Sequence, residues 1–261
     1  MPVPKYPIPY AHINKEETNM KATYLDHMGS DLTVVNAARC SFGAESNELT
    51  EKDRGLIQFL ARGCMTKDWQ EAVDNLQCTT DTQEINGYLK WAKNMPTHWT
   101  PFSHAMISMR ETVPIFVARQ RFKHMVGFTY NEVSRRYVDD TPEFYVPEVW
   151  RARPEGGIKQ GSGGEHEYSE NIKDGYGEIV RQLSSYYSEM IENGVAPEQA
   201  RMVLPQSMLT TYWVTGSLYA WANAYIQRSD SHAQKEIQDL AAQWDDIIRP
   251  LYPVSWSALV D

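Results

Sequence analysis

The sequence predicts a mixed α/β (α+β) fold, a single domain over residues 1–261 with long helices packed on a small sheet. Three observations lead there. Helical periodicity recurs in long amphipathic runs, clearest over 171–192, where Tyr176, Ile179, Val180, Leu183, Tyr187 and Met190 share a face. Strand-like text is short and scarce, at Lys21 to His27 and Ala105 to Thr112. The glycine-rich stretch 154–170 interrupts helical text without changing its composition, so it reads as a flexible insertion and not as a domain boundary.

Taken in order, the elements follow from local patterns. Prolines at 2, 4, 7 and 9 make residues 1–20 an extended N-terminal arm lying across the body or a neighbouring subunit. After the strand at Lys21 to His27, Asp31 is placed to cap a helix through Val34, Val35 and Ala38 to Arg39. Cys40, beside Arg39, reads as a thiolate nucleophile or as a small buried residue at a helix end, with no histidine base near it in sequence. Lys52 to Gly63 predicts a helix that buries Leu56, Ile57 and Leu60, and the polar stretch 72–95 holds another around Ile85 to Ala92. Ala105 to Thr112 sets Ile107, Met109 and Glu111 against Met106, Ser108 and Arg110, the alternation of a half-buried strand. Pro114 opens the helix PIFVARQRFKH, and Gly127 ends it in a loop. Asn193-Gly194 stops the long helix from Asn171, and Pro197 starts a short one through Arg201. Ser207 to Arg228 reads as one long apolar helix, on which Ser217 and Arg228 share a face. Ser231-His232-Ala233-Gln234 has the capping-box pattern for a last helix carrying Ile237, Leu240, Trp244 and Ile248.

Composition narrows the function. The hydrophobic fraction of 42% supports a sizeable core, while the net charge of -9 argues against a long nucleic-acid partner. No apolar run approaches the ~18 residues that span a bilayer, and the N-terminus lacks a signal-peptide core. Cys40, Cys64 and Cys78 form no CxxC pair, so the expected setting is a reducing one, the cytoplasm, or the host cytoplasm if a virus encodes the chain. His98 and His104 lack a third ligand of suitable spacing, so no metal site is expected. No P-loop or metal cluster supports a phosphatase.

Against this acidic background stands RQRFKHMVGFTYNEVSRRY, from Arg119 to Tyr137. Arg119, Arg121, Lys123, Arg135 and Arg136, with His124, face the single acid Glu132. A basic pocket in an acidic body suits a small anion such as a phosphate. Arg228, at the end of an apolar helix, needs either a structural carboxylate or an anionic ligand.

Several segments together resemble the flavin-dependent thymidylate synthases: MGSDLTVVNAARCSF, TPFSH, VPIFVARQRFKH with NEVSRRY, ARMVLP and RSDSHAQKEIQ, in that family's order. The resemblance implies reductive methylation of dUMP to dTMP, with 5,10-methylenetetrahydrofolate as carbon donor and FAD, reduced by NADPH, as hydride donor. It also implies an α/β homotetramer whose active sites lie between subunits, with small-molecule partners and no membrane or nucleic acid.

Residue by residue, the resemblance assigns Ser41, Thr100, Lys123, His124, Met125, Glu132, Ser217, Asn223 and His232 to the flavin. Gln120, Lys123, Glu132, Ser134, Arg135, Arg136, Arg201 and Arg228 fall to dUMP. Arg201 would come from another subunit, and Arg228 would meet the uracil ring as the catalytic residue. Ser217 replaces an asparagine. The family's signature, Arg-His-Arg, seven residues, then Ser, departs here to Lys123-His124-Met125 with one residue more before Asn131. Lysine does not fork as arginine does, and Met125 offers phosphate only its backbone N–H. Arg119 or Arg121 is expected to make up the lost charge.

Overall fold

The structure, a computed structural model, describes residues 20–95, 97–138, 140–156 and 161–261. The arm expected over 1–20 lies outside the described residues except for Met20, as do residues 157–160 of the expected insertion.

A small antiparallel sheet organises the chain. β1 (Lys21–Met28), β2 (Met106–Pro114), β3 (Phe128–Glu132) and β4 (Leu209–Ser217) lie in the order β1-β2-β4-β3. Alternate side chains of β2 and β4 are buried, as in strands with one face on a core. α8 (Leu218–Ser229), α9 (Lys235–Ile248) and α10 (Pro253–Val260) supply much of that core, where Trp221, Trp244 and Trp256 are fully buried. Burying side chains of this kind contributes on the order of 2–3 kcal/mol each. α9 also packs on β1, where Ala22 N–H donates to Gln243 Oε1 at 2.8 Å.

The mixed fold of helices on a small sheet is as expected, and the strand at residues 21–27, the helix near 52–63 and the long helix near 171–192 appear as β1, α2 (Glu51–Ala61) and α6 (Ser169–Glu192). α1 (Asp31–Arg39) is also present, but Ser30 precedes it as the cap, its N–H donating to Thr33 Oγ1 at 3.0 Å. Asp31 is instead buried and accepts from Val254 N–H at 3.0 Å and Ser255 N–H at 2.8 Å, so it caps α10. Two helices were not anticipated, α3 (Thr66–Cys78) and α10, while α4 (Thr82–Lys93) lies where a helix was expected.

The single helix expected from Ser207 to Arg228 is β4 followed by α8. Its first half is β-branched and aromatic, from Thr210 to Thr215, and pairs with β2 and β3 on its two edges. Gly216 permits the close pairing with β3, because a Cβ there would lie 2.3 Å from the Phe128 ring. The loop expected after Gly127 is β3, and α5 (Ile115–Arg121) ends before Lys123-His124. The capping box at Ser231 does not form: α9 starts at Lys235 with Gln234 before it, and the Asp230 carboxylate accepts from His232 N–H instead. All three cysteines are free, and Cys40 is exposed, not buried.

Candidate active site

α7 (Pro197–Ala200) and a following turn, Arg201–Val203, complete the helical inventory needed here. The site is built where α5 leaves β2. Ile115 N–H donates to Met208 O at 3.0 Å and Phe116 N–H to Gln206 O at 3.1 Å, which ties the start of α5 to the segment before β4. The chain then returns from α5 to β3 through residues 122–127. Gly127 has φ +78°, and a Cβ there would sit 2.8 Å from Ala220 Cβ, so this loop passes directly over the start of α8. Gly127 O accepts from Ser217 N–H at 3.1 Å, and Ser217 Oγ caps α8 by accepting from Ala220 N–H at 3.2 Å.

Arg228, in the last turn of α8, reaches this loop. Its Nε donates to His124 Nε2 at 2.8 Å and its NH2 to Gln120 O at 3.2 Å. The Gln120 amide donates in turn to Gln234 Oε1 at 2.6 Å. Among the described residues no carboxylate pairs with Arg228. Burial, then the charges of Arg228 and Arg121, push the His124 imidazole down to about 4. Burial, and then Arg121, also lower Arg228.

A second group gathers around a pocket of about 610 Å3, a volume within the ~300–1,000 Å3 usual for ligand sites. Glu132, Ser134, Arg135, Arg201 and the Thr210–Thr211 end of β4 line it. Within this one chain, then, Arg201 already shares a pocket with Ser134 and Arg135. Arg135 is held by Asp140, donating to its backbone O at 2.5 Å and to Oδ1 at 2.6 Å. Glu132 Oε1 accepts from Thr210 Oγ1 at 2.6 Å. Arg136 pairs with Glu198 at 3.4 Å on the surface, and Arg201 Nε donates to Glu198 O at 3.3 Å.

The remaining residues singled out in the sequence are dispersed around the first group. Lys123 and Met125 are exposed on the loop. Ser41 is exposed on the turn Cys40–Phe42 after α1. Thr100 is exposed at the start of the turn Thr100–His104, which packs against α1 and α8. Asn223 Nδ2 donates to Tyr219 O at 3.0 Å, and Tyr219 stacks on Trp99 with centroids 5.4 Å apart. His232 is exposed and meets Asp230 at 2.9 Å.

One expectation is overturned. Arg121 cannot replace a missing phosphate contact, because its side chain is fully buried and paired with buried Glu111 at 3.3 Å. That pair escaped the sequence reading, although a carboxylate on the apolar face of β2 was its visible trace.

Fold and site together define an anion-binding enzyme scaffold: a small antiparallel sheet, helices behind it, and two cationic groups along one connected run of elements. The family model described as thymidylate synthase complementing protein matches residues 23–254. The chain is 32% identical to the flavin-dependent thymidylate synthase of Thermotoga neapolitana over 236 residues, covering 90% of this chain and 88% of that one. It is 31% identical to the enzyme of the same name from Thermosipho africanus over 237 residues, covering 90% and 89%. Among solved structures it is similar to a UMP/dUMP methylase PolB from Streptomyces cacaoi bound with 5-Br dUMP, with TM-score 0.72, 25% identity, and coverage of 92% and 94%. This chain therefore belongs to the flavin-dependent thymidylate synthase family, a family of enzymes.

Proposed function

We propose that this enzyme methylates dUMP to dTMP, with 5,10-methylenetetrahydrofolate as carbon donor and FAD, recharged by NADPH, as the hydride source. The observation that carries the reading is Arg228. A partly buried guanidinium held by an imidazole and a carbonyl, without a carboxylate among the described residues, is kept for an anion. Negative charge that builds on a pyrimidine ring during attack from C5 is stabilised by a cation fixed in advance. The likeness to a UMP/dUMP methylase supports the same substrate class.

FAD suits the donor set of the loop. Lys123 offers an exposed cation, and among the described residues none accepts from the Met125, Val126 or Gly127 N–H groups. Consecutive free amides beside a cation form the kind of concavity that takes phosphate oxygens, with Met125 contributing through its backbone alone. Bound there, FAD supplies the hydride. Ser41, Thr100, Ser217, Asn223 and His232 complete its surroundings in this reading, with Lys123, His124, Met125 and Glu132.

This chain's own residues do the rest. Gln120 and His124 hold Arg228, which faces the uracil. Ser134, Arg135, Arg136 and Arg201 grip the nucleotide phosphate, Arg135 exchanging Asp140 for the stronger bidentate partner. Subunits of a homotetramer close over the exposed loop in the cytoplasm. Among the described residues no helix is long and apolar enough to cross a membrane.

The test is direct. Purified protein should be yellow, with flavin absorbance, and should release tritium from C5-labelled dUMP. A colourless protein that neither binds added FAD nor releases tritium would instead be a non-catalytic nucleotide-binding protein.

A further inference from the structure

Beneath the proposed site lies a buried charge that cohesion alone does not explain. Arg121 turns inward from α5 into a cage of rings, its guanidinium carbon 4.3 Å from the Phe128 centroid, 4.7 Å from Trp221, 4.8 Å from Trp244 and 5.2 Å from Tyr130. It meets Glu111 of β2, whose Oε2 also accepts from Tyr212 Oη at 2.5 Å. Both charged side chains are fully buried, and one guanidinium nitrogen, NH2, has no partner. Desolvating two charges costs about as much as their attraction returns, and apolar side chains of similar volume would fill the space as well.

The other bonds of Arg121 show what the charge holds. Arg121 NH1 donates to Tyr130 Oη at 2.6 Å, and Tyr130 Oη donates to His124 O at 2.6 Å. The phenol's single proton is thereby committed to the loop, while the guanidinium fills its lone pair and polarises it. On the far side of the same residue, His124 Nε2 accepts from Arg228. The loop needs such an anchor. Its neighbours Met125 and Val126 are 75% and 93% exposed, and its own backbone bonds, Lys123 N–H to Gln120 O and Phe128 N–H to Met125 O, are long at 3.3 Å each.

We propose that Arg121 and Tyr130 are positioning residues for the reaction proposed above: they hold the His124 main chain where its imidazole meets Arg228, and so aim the guanidinium that faces the substrate. Neither residue touches substrate. Glu111 and Tyr212 hold Arg121, so a chain of side-chain hydrogen bonds runs from the middle of the sheet to Arg228. The charged groups that face the His124 ring are Arg228 from α8 and Arg121 from α5, with Lys123 beside it in the loop. Both arginines favour the neutral ring that accepts from Arg228.

Tyr130→Phe removes both hydroxyl bonds and keeps the ring in its packing against Phe122, Phe128 and Tyr212. Arg121→Lys keeps the charge beside Glu111 but cannot fork to Tyr130. Each variant should lower kcat about tenfold while leaving the KM for dUMP and the flavin content unchanged, since orientation and not binding is lost. In the protein without ligands, NMR titration of the His124 ring should move up from about 4 towards the ordinary ~6.5 as the ring parts from Arg228. Variants that keep wild-type kcat and wild-type His124 titration, with only a lower Tm, would overturn the proposal and leave the cluster a purely structural one. A wild-type protein that does not turn over dUMP would defeat the functional reading, while the His124 titration would still decide the positioning role.

Discussion

Arg228 and His124 meet nitrogen to nitrogen, Nε to Nε2 at 2.8 Å. A guanidinium has no acceptor, so the imidazole must present a lone pair and carry its proton on Nδ1. The contact exists only while His124 is neutral.

Acidification should therefore weaken the fold in a defined window. The native ring is held to about 4, against ~6.5 in the unfolded chain. Between those values the unfolded state binds a proton that the native state refuses, so stability falls as pH drops from ~6.5 to ~4 and is unaffected by this group above ~6.5. With solvent screening at this half-buried position, the loss should be about 1–2 kcal/mol. Urea unfolding at pH 7 and pH 5 measures it. The drop should shrink by that amount in His124→Gln, and an equal drop in both proteins would contradict the assignment.

Replacing Arg228 by alanine should cost turnover, not flavin. Loss of one fixed donor at a developing anion lowers rates by about 10²–10³. We expect kcat/KM for dUMP to fall at least that far, with bound FAD near the wild-type level. Near-normal dTMP formation would show that another group carries the charge.

Glu111→Ala should be among the most damaging substitutions in the chain. It strands the Arg121 charge in the core, at about 3–5 kcal/mol. Converting both partners, in Glu111→Leu with Arg121→Met, should recover most of that loss in denaturant unfolding. It should not recover kcat if Tyr130 depends on Arg121.

Met125→Arg restores an arginine to the third position of the signature. The side chain is 75% exposed, so the change should alter stability by no more than about 0.5 kcal/mol. FAD affinity, read by fluorescence titration, should stay level or tighten. Complete loss of FAD would show that this loop does not serve the cofactor.

What could be read from the sequence followed from how its signals are carried. Amphipathic helices announce themselves, and α2, α6 and α9 stand where Leu56, Ile179 and Trp244 recur at helical spacing. β1 and β2 alternate visibly. β4 does not, because Val214, Gly216 and Leu209 are buried among residues that also pair on both edges, so the run looks uniformly apolar and was taken for helix. α3 lies in polar text, and α10 is too uniformly apolar to show a period. The cationic residues of the site were visible as a cluster, Arg119 to Arg136, but their division into two groups was not. That division depends on β3, whose register with β4 carries Gly127 to α8 and Glu132 to the pocket. Least visible was the Glu111 to Arg121 pair, since nothing in a strand residue and a helix residue ten positions apart says that they turn towards each other.

Asp31 holds the amides of Val254 and Ser255, 223 and 224 positions further along. The first helix of the chain is thus fastened by the last, and everything between them is enclosed by that clasp. On the ribosome these partners are separated by nearly the whole of synthesis, and until the final helix emerges Asp31 has only water to bind. Pairings so remote in sequence slow folding, since a long loop must close before they can form. The enzyme's architecture accordingly locks late and as one body, with the catalytic elements waiting on a stretch that contributes nothing to their chemistry.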